Sequence, residues 1–219
     1  MVRKDISNQL SNRVIRKEEE SVRYSEYKIN PLILNRWSPR AMPCDEELSN
    51  EELMPIFEAA RWAPSSFNIQ PWRFIYAKRN TVRAEDWNRF LNLLAEPNKD
   101  WAKNAAVLTV VISKKEFEYN GRFLPSVTHQ FDTGAAWENL ALEASSRGLV
   151  AHAIAGFDYD KARKDLDIPD GYDVMAMIAI GIRGPKENLP PKLQEMESPS
   201  DRKPLEEIVM EGHFKQEIN

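Results

Sequence analysis

The chain has 219 residues, of which 42% are hydrophobic and 29% are charged. This length and composition predict a globular protein with one sizeable core and exclude a fully disordered chain. The net charge is only −4, from 30 basic and 34 acidic residues. We therefore expect no nucleic-acid partner, because such affinity comes mostly from lysine and arginine on phosphates.

Cysteine, histidine and apolar patterning restrict the chemistry and the compartment. Cys44 is the single cysteine, which excludes an internal disulfide and argues against a structural zinc site. The three histidines show no metal-ligand spacing, so we expect no metal: His129, His152 and His213. No apolar run approaches the roughly 20 residues needed to span a bilayer, and the N-terminus lacks the apolar centre of a secretory signal. These features predict a cytoplasmic protein without a membrane partner.

The two ends of the chain differ in composition from its middle. Residues 1–28 are polar and charged, with isolated apolar positions, and we interpret them as an N-terminal extension. Residues 29–219 are predicted to form a single domain. Its last part, from about residue 185 to 219, is a proline-rich, charged arm. We expect this arm to run over a surface, because it is too polar for a core.

The first strong helix signal is LSNEELMPIFEAARWA, in which Ser49 and Glu52 form a capping-box pattern. This helix must end before Pro64, because the residue ahead of a proline avoids the α region. Periodicity predicts further elements along the chain: strands over 72–77, 107–113 and 174–180, a helix ending near Pro97, a helix over 131–147 closed by Gly148, and a short helix over 159–166. The order lacks a regular βαβ rhythm, which favours an α+β sandwich over a doubly wound sheet.

The sequence RWSPR at residues 36–40 is the first candidate binding motif. Arg36, Ser38 and Arg40 bring two guanidinium groups and a hydroxyl into one short loop. Such groups can bind a phosphate, with arginine supplying paired donors. Solvated arginines ahead of a helix are the alternative, and a motif this short does not decide between them.

The second candidate is PSSFNIQP at residues 64–71, where Ser65, Ser66, Asn68 and Gln70 lie between two prolines. Their hydroxyl and amide groups suit recognition of a polar heterocycle or a polyol chain. An ordinary turn after a helix, with the same side chains capping backbone groups, is the alternative, and this stretch alone slightly favours it.

Three isolated residues add weaker signals. Asn98 is either a helix cap or a loop amide that contacts a ligand, and Gly156 either marks a turn or lets the backbone approach a planar ring. Arg202, in the polar arm, is either solvated or a further phosphate partner. The chain contains no nucleophile-elbow, Walker, dinucleotide-binding or zincin motif. Any chemistry therefore belongs most naturally to a bound cofactor.

Taken in order, these segments resemble the flavin-dependent nitroreductase family. The similarity covers about residues 29–210 and is carried by NRWSPRAM, ARWAPSSFNIQPWRF, the Asn98 segment, GAAWENLALEASSRGL running into IAGFD, and DRKPLEEIV. The resemblance implies an α+β fold, an α-β-α sandwich with a central, mostly antiparallel sheet. It also implies an intertwined homodimer with two FMN molecules at the subunit interface.

The resemblance also implies a set of cofactor-binding residues. The FMN phosphate and ribityl chain would be held by the first loop and the arm: Arg36, the Trp37 backbone, Ser38, Arg40 and Arg202. The flavin of the other subunit would be reached by Pro64, Ser65, Ser66 and Asn68. The isoalloxazine edge would meet Asn98, and its reactive side would face the backbone of Ile154, Ala155 and Gly156.

Members of this family work by a ping-pong cycle, in which NADH or NADPH passes a hydride to flavin N5 and a small electron acceptor, typically a nitroaromatic or a quinone, then takes its place. No general acid or base of the protein is expected. Ala155 and Ser200 stand where some relatives carry an acidic residue and a lysine, which leaves coenzyme and substrate preference open. The alternatives are a specialised flavin enzyme of the same fold (flavin-cleaving or dehalogenating), an FMN-binding storage or redox-sensing protein, and the same fold with an inactive site.

Overall fold

A computed structural model describes residues 23–80 and 83–214. They fall into two compact units, one of residues 36–198 and another formed by the segments on either side of it. The predicted N-terminal extension lies outside the described residues as far as residue 22, and its boundary with the domain stays a prediction. Among the described residues, no helix is long and apolar enough to cross a membrane.

A four-stranded antiparallel sheet forms the centre of the larger unit. The strands of the described residues are β1 Trp72–Lys78, β2 Val107–Lys114, β3 Glu116–Tyr119, β4 Arg122–Pro125, β5 Leu149–Ile154 and β6 Tyr172–Ile182. The order of strands in the sheet is β1-β2-β6-β5, and β3 and β4 form a separate hairpin that follows β2 in the chain.

Helices cover both faces of this sheet. The helices of the described residues are α1 Pro31–Asn35, α2 Asn50–Arg61, α3 Ala84–Leu91, α4 Glu96–Ala102, α5 His129–Ser146, α6 Tyr159–Asp165 and α7 Pro191–Gln194. On one face, α2 and α5 pack against Val107 and Val111 of β2. On the other, α3, α4 and α6 pack against Leu108 and Val110. Alternate residues of β2 therefore serve opposite cores, as predicted for a strand buried on both faces. The predicted α+β sandwich with a mostly antiparallel sheet is confirmed.

The start of α2 follows the sequence prediction in detail. Ser49 accepts a hydrogen bond from the Glu52 N–H, and the Glu52 carboxylate accepts one from the Ser49 N–H, which completes the capping box. The helix ends at Arg61, before Pro64, as expected. Gly148, with φ +70°, follows the end of α5 and confirms the predicted glycine stop.

The helix predicted to end near Pro97 is wrong. Helix α3 already ends at Leu91, and Pro97 lies in the first turn of a second helix, α4. A proline is tolerated there because the first N–H groups of a helix have no partner within it. Pro97 therefore marks the start of a helix in this chain, although the sequence pattern had been interpreted as the end of one.

Strand β5 and the β3–β4 hairpin were not predicted. The sequence of β5 is a short apolar run directly after a helix, and such runs carry little periodicity. The hairpin turns at Asn120 and Gly121, whose φ angles are +50° and +75°. Asn-Gly is the usual pair for such a turn, so this dipeptide could have identified the hairpin.

Candidate functional site

The RWSPR loop (residues 36–40) has no helix or strand of its own, and its backbone is held by distant side chains. The Glu197 carboxylate accepts hydrogen bonds from the Arg40 N–H, at 2.8 and 3.1 Å, and from the Ala41 N–H, at 2.8 Å. Hydrogen bonds to a carboxylate are roughly twice as strong as those between neutral groups. The end of the loop is thus fixed by a residue 157 positions away from Arg40.

His152 of β5 contacts the same loop from another direction. Its Nδ1 lies 3.0 Å from the Pro39 carbonyl oxygen, and since that oxygen can only accept, Nδ1 carries the proton. The imidazole also packs on the Trp101 ring, with centroids 4.6 Å apart. Burial lowers the pKa of His152 to about 4, and the positive charge of Arg40 acts in the same direction, against the smaller raising effect of the bond to Pro39. At neutral pH, His152 is therefore a neutral hydrogen-bond donor.

The arginines of the RWSPR loop have different surroundings. Arg36 Nε lies 3.2 Å from the Glu138 carboxylate of α5. The Trp37 ring packs beneath the Arg183 guanidinium, 5.2 Å from the ring centroid. Arg40 is partly buried, and no carboxylate of residues 23–80 and 83–214 pairs with its guanidinium. The prediction treated Arg36 and Arg40 as equal phosphate ligands; among the described residues, Arg36 has a carboxylate partner and Arg40 has none.

Asn98 and Gly156 are 58 residues apart in sequence and in direct contact in the structure. Asn98 Nδ2 donates to the Gly156 carbonyl at 2.9 Å, and the Ala95 N–H donates to the same oxygen at 3.1 Å. A Cβ at position 156 would lie 2.5 Å from Asn98 Nδ2, so any other residue there would force the Asn98 amide to shift. Asn98 lies in the first turn of α4, whose N-cap is Ala95, so it is neither the helix cap nor the loop residue that the sequence left as alternatives.

The residues before Gly156 lead the chain out of the sheet. Ile154 is the last residue of β5 and is buried, whereas Ala155 and Gly156 are exposed. The Phe157 N–H bonds back to the Ala155 carbonyl at 3.1 Å, which makes a tight turn. Residues 155 and 156 are therefore accessible to a ligand.

The PSSFNIQP loop (residues 64–71) is held by one buried carboxylate and by its own hydroxyl. Asp132 of α5, only 4% exposed, accepts hydrogen bonds from the Ser66 N–H and the Thr128 hydroxyl, both at 3.1 Å. Ser65 Oγ accepts from the Gln70 N–H at 3.0 Å. The Ser65 side chain is thus used within the loop, as the turn interpretation anticipated.

Three non-glycine residues of this loop have left-handed backbone: Phe67, Asn68 and Gln70, with φ of +51°, +53° and +48°. Such angles are unfavourable for L-residues, and a cluster of them is typical of functional sites. The Phe67 ring is 75% exposed and stacks on Phe117 of the hairpin, with centroids 5.8 Å apart. Trp62, like Phe67, is exposed, whereas Trp72 is buried. The aromatic rings of this segment therefore do not all have the same role.

Arg202 belongs to the smaller unit. Its guanidinium donates to the Ser200 carbonyl and hydroxyl, both at 3.2 Å, and to the Asp201 carbonyl at 3.0 Å. Ser200 therefore serves as a local acceptor for Arg202.

One arrangement has the residue types of a hydrolase triad without the required access. Ser113 Oγ lies 2.9 Å from His129 Nδ1, and His129 Nε2 lies 3.7 Å from Asp173 Oδ2. Ser113 is fully buried and also bonds the Thr133 hydroxyl at 2.8 Å. A buried, fully bonded hydroxyl cannot attack a substrate, so this cluster supports β2 and α5 structurally.

Sequence reasoning assigned no site role to Asp132, Glu197 or His152. An acidic residue in the first turn of a helix, such as Asp132, is a common feature that carries no site information by itself. Glu197 is one of many acidic residues in a polar arm. Only the fold brings these side chains to the backbone of the two loops.

Known proteins resemble this chain over most of its length. The model of the nitroreductase family matches residues 33–182. Protein DrgA of Synechocystis is 31% identical over 172 residues, which cover 69% of this chain and 82% of DrgA. The oxygen-insensitive NADPH nitroreductase of Helicobacter acinonychis is 32% identical over 105 residues, covering 47% of this chain and 48% of that enzyme. A crystal structure described as an oxidoreductase containing FMN is 46% identical, with a TM-score of 0.85 over 90% of this chain and 98% of that chain.

Proposed function

Because the chain belongs to the nitroreductase family, we propose that it is an FMN-dependent oxidoreductase that uses NADH or NADPH to reduce small electron acceptors. The similar protein from Helicobacter is named for NADPH and for nitro compounds, and the similar crystal structure is named for FMN. The acceptors we propose are nitroaromatics, quinones and related small molecules. The site described above provides the groups that such a cofactor requires.

The observation that carries this proposal is the RWSPR loop with its partly buried Arg40. A guanidinium that lacks a carboxylate partner in the described residues, on a backbone held in place, is a preformed site for an anion. Ser38 adds a hydroxyl from the same loop. We propose that Arg40, Ser38 and the Trp37 backbone hold the FMN phosphate and ribityl chain, with Arg36 and Arg202 as the further cations.

We propose that the flavin ring lies against the turn at Ala155 and Gly156. Exposed backbone at these two positions, preceded by the buried Ile154, suits a planar ring. The Asn98 amide is fixed beside Gly156 by its 2.9 Å hydrogen bond and would meet the ring edge. None of these groups is a general acid or base, so the protein contributes position and polarity.

We propose that the PSSFNIQP loop completes the site of a second subunit in a homodimer. Its Phe67 ring and the neighbouring Trp62 are 75% and 72% exposed, and large exposed apolar rings are typical of interaction surfaces. Its backbone is held in a strained form by Asp132. Pro64, Ser65, Ser66 and Asn68 would then reach the flavin of the partner.

When bound, FMN would supply the redox chemistry by accepting a hydride at N5 from the nicotinamide and returning electrons to the acceptor. The residues of the chain bind and orient the two ring systems and keep the site open for exchange. Since NADH and NADPH differ only by a phosphate remote from the reacting ring, coenzyme preference depends on cations outside the turn at residues 155 and 156.

An absorbance spectrum of the purified protein, followed by anaerobic addition of NADH and then NADPH, tests this function. We expect flavin bands that bleach on addition of one coenzyme and return when a quinone is added. Bands that persist with both coenzymes would favour a storage or sensing protein. Absence of flavin, even after FMN is added back, would contradict the proposal.

A further inference from the structure

Glu197 binds the RWSPR loop through backbone groups alone. Its carboxylate accepts from the Arg40 N–H and from the Ala41 N–H, and the shortest bond to each is 2.8 Å. Two adjacent amides that share one carboxylate form a small anion-binding concavity. Glu197 therefore supplies, from the same chain, the acceptor for two N–H groups that would otherwise need another one.

The neighbouring backbone carbonyl groups already accept other hydrogen bonds. The Ala41 carbonyl accepts from the Gly184 N–H at 2.7 Å, and the Pro39 carbonyl accepts from His152 at 3.0 Å. Ala41 is only 1% exposed, so its N–H is remote from water. If the Glu197 carboxylate were removed, the two amides would have no replacement acceptor in place, and this part of the loop would have to move.

The position of the negative charge matters as much as the hydrogen bonds. Glu197 bonds the backbone of Arg40, and no carboxylate of the described residues pairs with the guanidinium of the same residue. The carboxylate thus fixes where Arg40 leaves the backbone while its side-chain cation stays available. An ion pair between the two side chains would have neutralised that cation.

We propose that Glu197 is a positioning residue for the phosphate end of FMN: by holding the amides of Arg40 and Ala41, it sets the place of the Arg40 guanidinium. This inference rests on the proposed function. The inference extends the proposed function by assigning a negatively charged residue to the binding of a dianionic phosphate. Glu197 would favour binding of an anion through geometry, although its own charge repels that anion.

Riboflavin provides the test, because it has the ring and ribityl chain of FMN but no phosphate. The wild type, Glu197→Ala and Glu197→Gln are each saturated with FMN or riboflavin and diluted stepwise, and the fluorescence of released flavin gives Kd. Glu195→Ala is the matched control, since Glu195 lies two positions away, is exposed, and its side chain has no hydrogen bond in the described part of the chain. Thermal unfolding of every variant is measured alongside.

We expect Glu197→Ala to raise the Kd of FMN at least tenfold and that of riboflavin less than twofold. Glu197→Gln should lie between it and the wild type, because one amide oxygen in the place of Oε1 can still accept from both N–H groups but carries no negative charge. Glu195→Ala should change neither Kd. If Glu197→Ala does not fold, the FMN and riboflavin affinities of Glu197→Gln decide the question.

Three results would overturn the inference. Equal weakening of FMN and riboflavin would show that Glu197 only supports the fold. Unchanged FMN affinity in both Glu197 variants would show that the loop needs no anchor. Tighter FMN binding by Glu197→Gln would show that the carboxylate competes with the phosphate for the loop. A wild type that binds neither flavin would instead overturn the proposed function itself.

Discussion

The RWSPR loop and the PSSFNIQP loop are both short, irregular and rich in binding groups, yet they are held in opposite ways. In the first, the backbone groups of Pro39, Arg40 and Ala41 bond to partners more than 110 positions away. None of its described residues has a positive φ. The second bonds largely within itself and to Asp132, and it has three left-handed non-glycine residues, each costing roughly 1–2 kcal/mol.

This difference indicates two ways to preorganise a binding loop. The RWSPR loop is relaxed locally and depends on the completed fold, so its geometry should be lost when a distant anchor is removed. The PSSFNIQP loop is strained locally and depends on one buried carboxylate to retain that strain. Each of the following predictions removes one anchor or one source of strain.

The largest effect is expected at Asp132, the anchor of the strained loop. Asp132→Ala removes a 4% exposed carboxylate that bonds the Ser66 N–H and the Thr128 hydroxyl. We expect a loss of about 3 kcal/mol in the free energy of unfolding, because both donors lose a charged acceptor. Urea denaturation at pH 7.5 measures it.

Asp132→Asn is the matched control for this prediction. It keeps one acceptor oxygen in the same place, so its loss should be about half as large. If Asp132→Ala were as stable as the wild type, the loop would be retaining its left-handed residues without this carboxylate, and the contrast between the two loops would fail.

His152, which bonds Pro39 of the RWSPR loop, should make the free energy of unfolding depend on pH. Burial lowers the pKa of His152 in the folded protein to about 4, below its ordinary value of 6.5. The unfolded chain therefore binds the proton more readily, so the His152 contribution to stability is complete above pH 6.5 and is lost as the pH falls from 6.5 through 4. We expect the wild type to lose about 2 kcal/mol from this source by pH 4.5, after allowance for the partial exposure of the ring.

His152→Asn isolates that contribution, because an asparagine amide can still donate to the Pro39 carbonyl but does not titrate. Unfolding free energies of both proteins at pH 7.5 and pH 4.5 give the difference. The wild type should lose more stability than the variant over this interval. Equal losses in the two proteins would mean that His152 titrates normally and that the neutral donor does not hold the loop.

The sequence predicted the elements that depend on local chemistry. The capping box of Ser49 and Glu52, the end of α2 before Pro64 and the buried run of β2 all have local signals, and the structure confirms them. Pro97 shows the limit of such signals. A proline is compatible with either end of a helix, and which end is present depends on the packing of α3 and α4 against the sheet.

The candidate site was predictable in its motifs and not in its supports. Arg40, Asn98 and Gly156 were found by resemblance, and their assignment to FMN stays a prediction. The residues that support the RWSPR and PSSFNIQP loops are Glu197, His152 and Asp132, which act across 66 to 157 positions of sequence. A single sequence contains no local pattern for such contacts, because they exist only once the strands and helices have assembled.

A smaller effect is expected where two remote segments meet without strain. Gly156→Ala would place a Cβ 2.5 Å from Asn98 Nδ2 and break the 2.9 Å bond to the Gly156 carbonyl. We expect a loss of about 1 kcal/mol, the usual contribution of one hydrogen bond, measured by urea denaturation. Gly171→Ala is the control, since nothing lies within 4 Å of a Cβ there. An unchanged stability for Gly156→Ala would show that the contact between Asn98 and Gly156 contributes nothing to the fold.

The smallest effect tests the left-handed backbone itself, by comparing glycine with alanine at two adjacent positions. Gln70 has φ +48° and Ile69 has φ −73°. Alanine retains the left-handed cost of roughly 1–2 kcal/mol at position 70. Glycine removes that cost but adds its own entropic cost of roughly 0.5–1 kcal/mol, so Gln70→Gly should be more stable than Gln70→Ala by about 0.5 kcal/mol. At position 69 the order should reverse, because glycine there brings only its entropic cost. The thermal unfolding midpoints of the four variants decide the matter. If the same residue, glycine or alanine, were the more stable at both positions, the PSSFNIQP loop would store no backbone strain. The two loops would then differ less in strain than their backbone angles indicate.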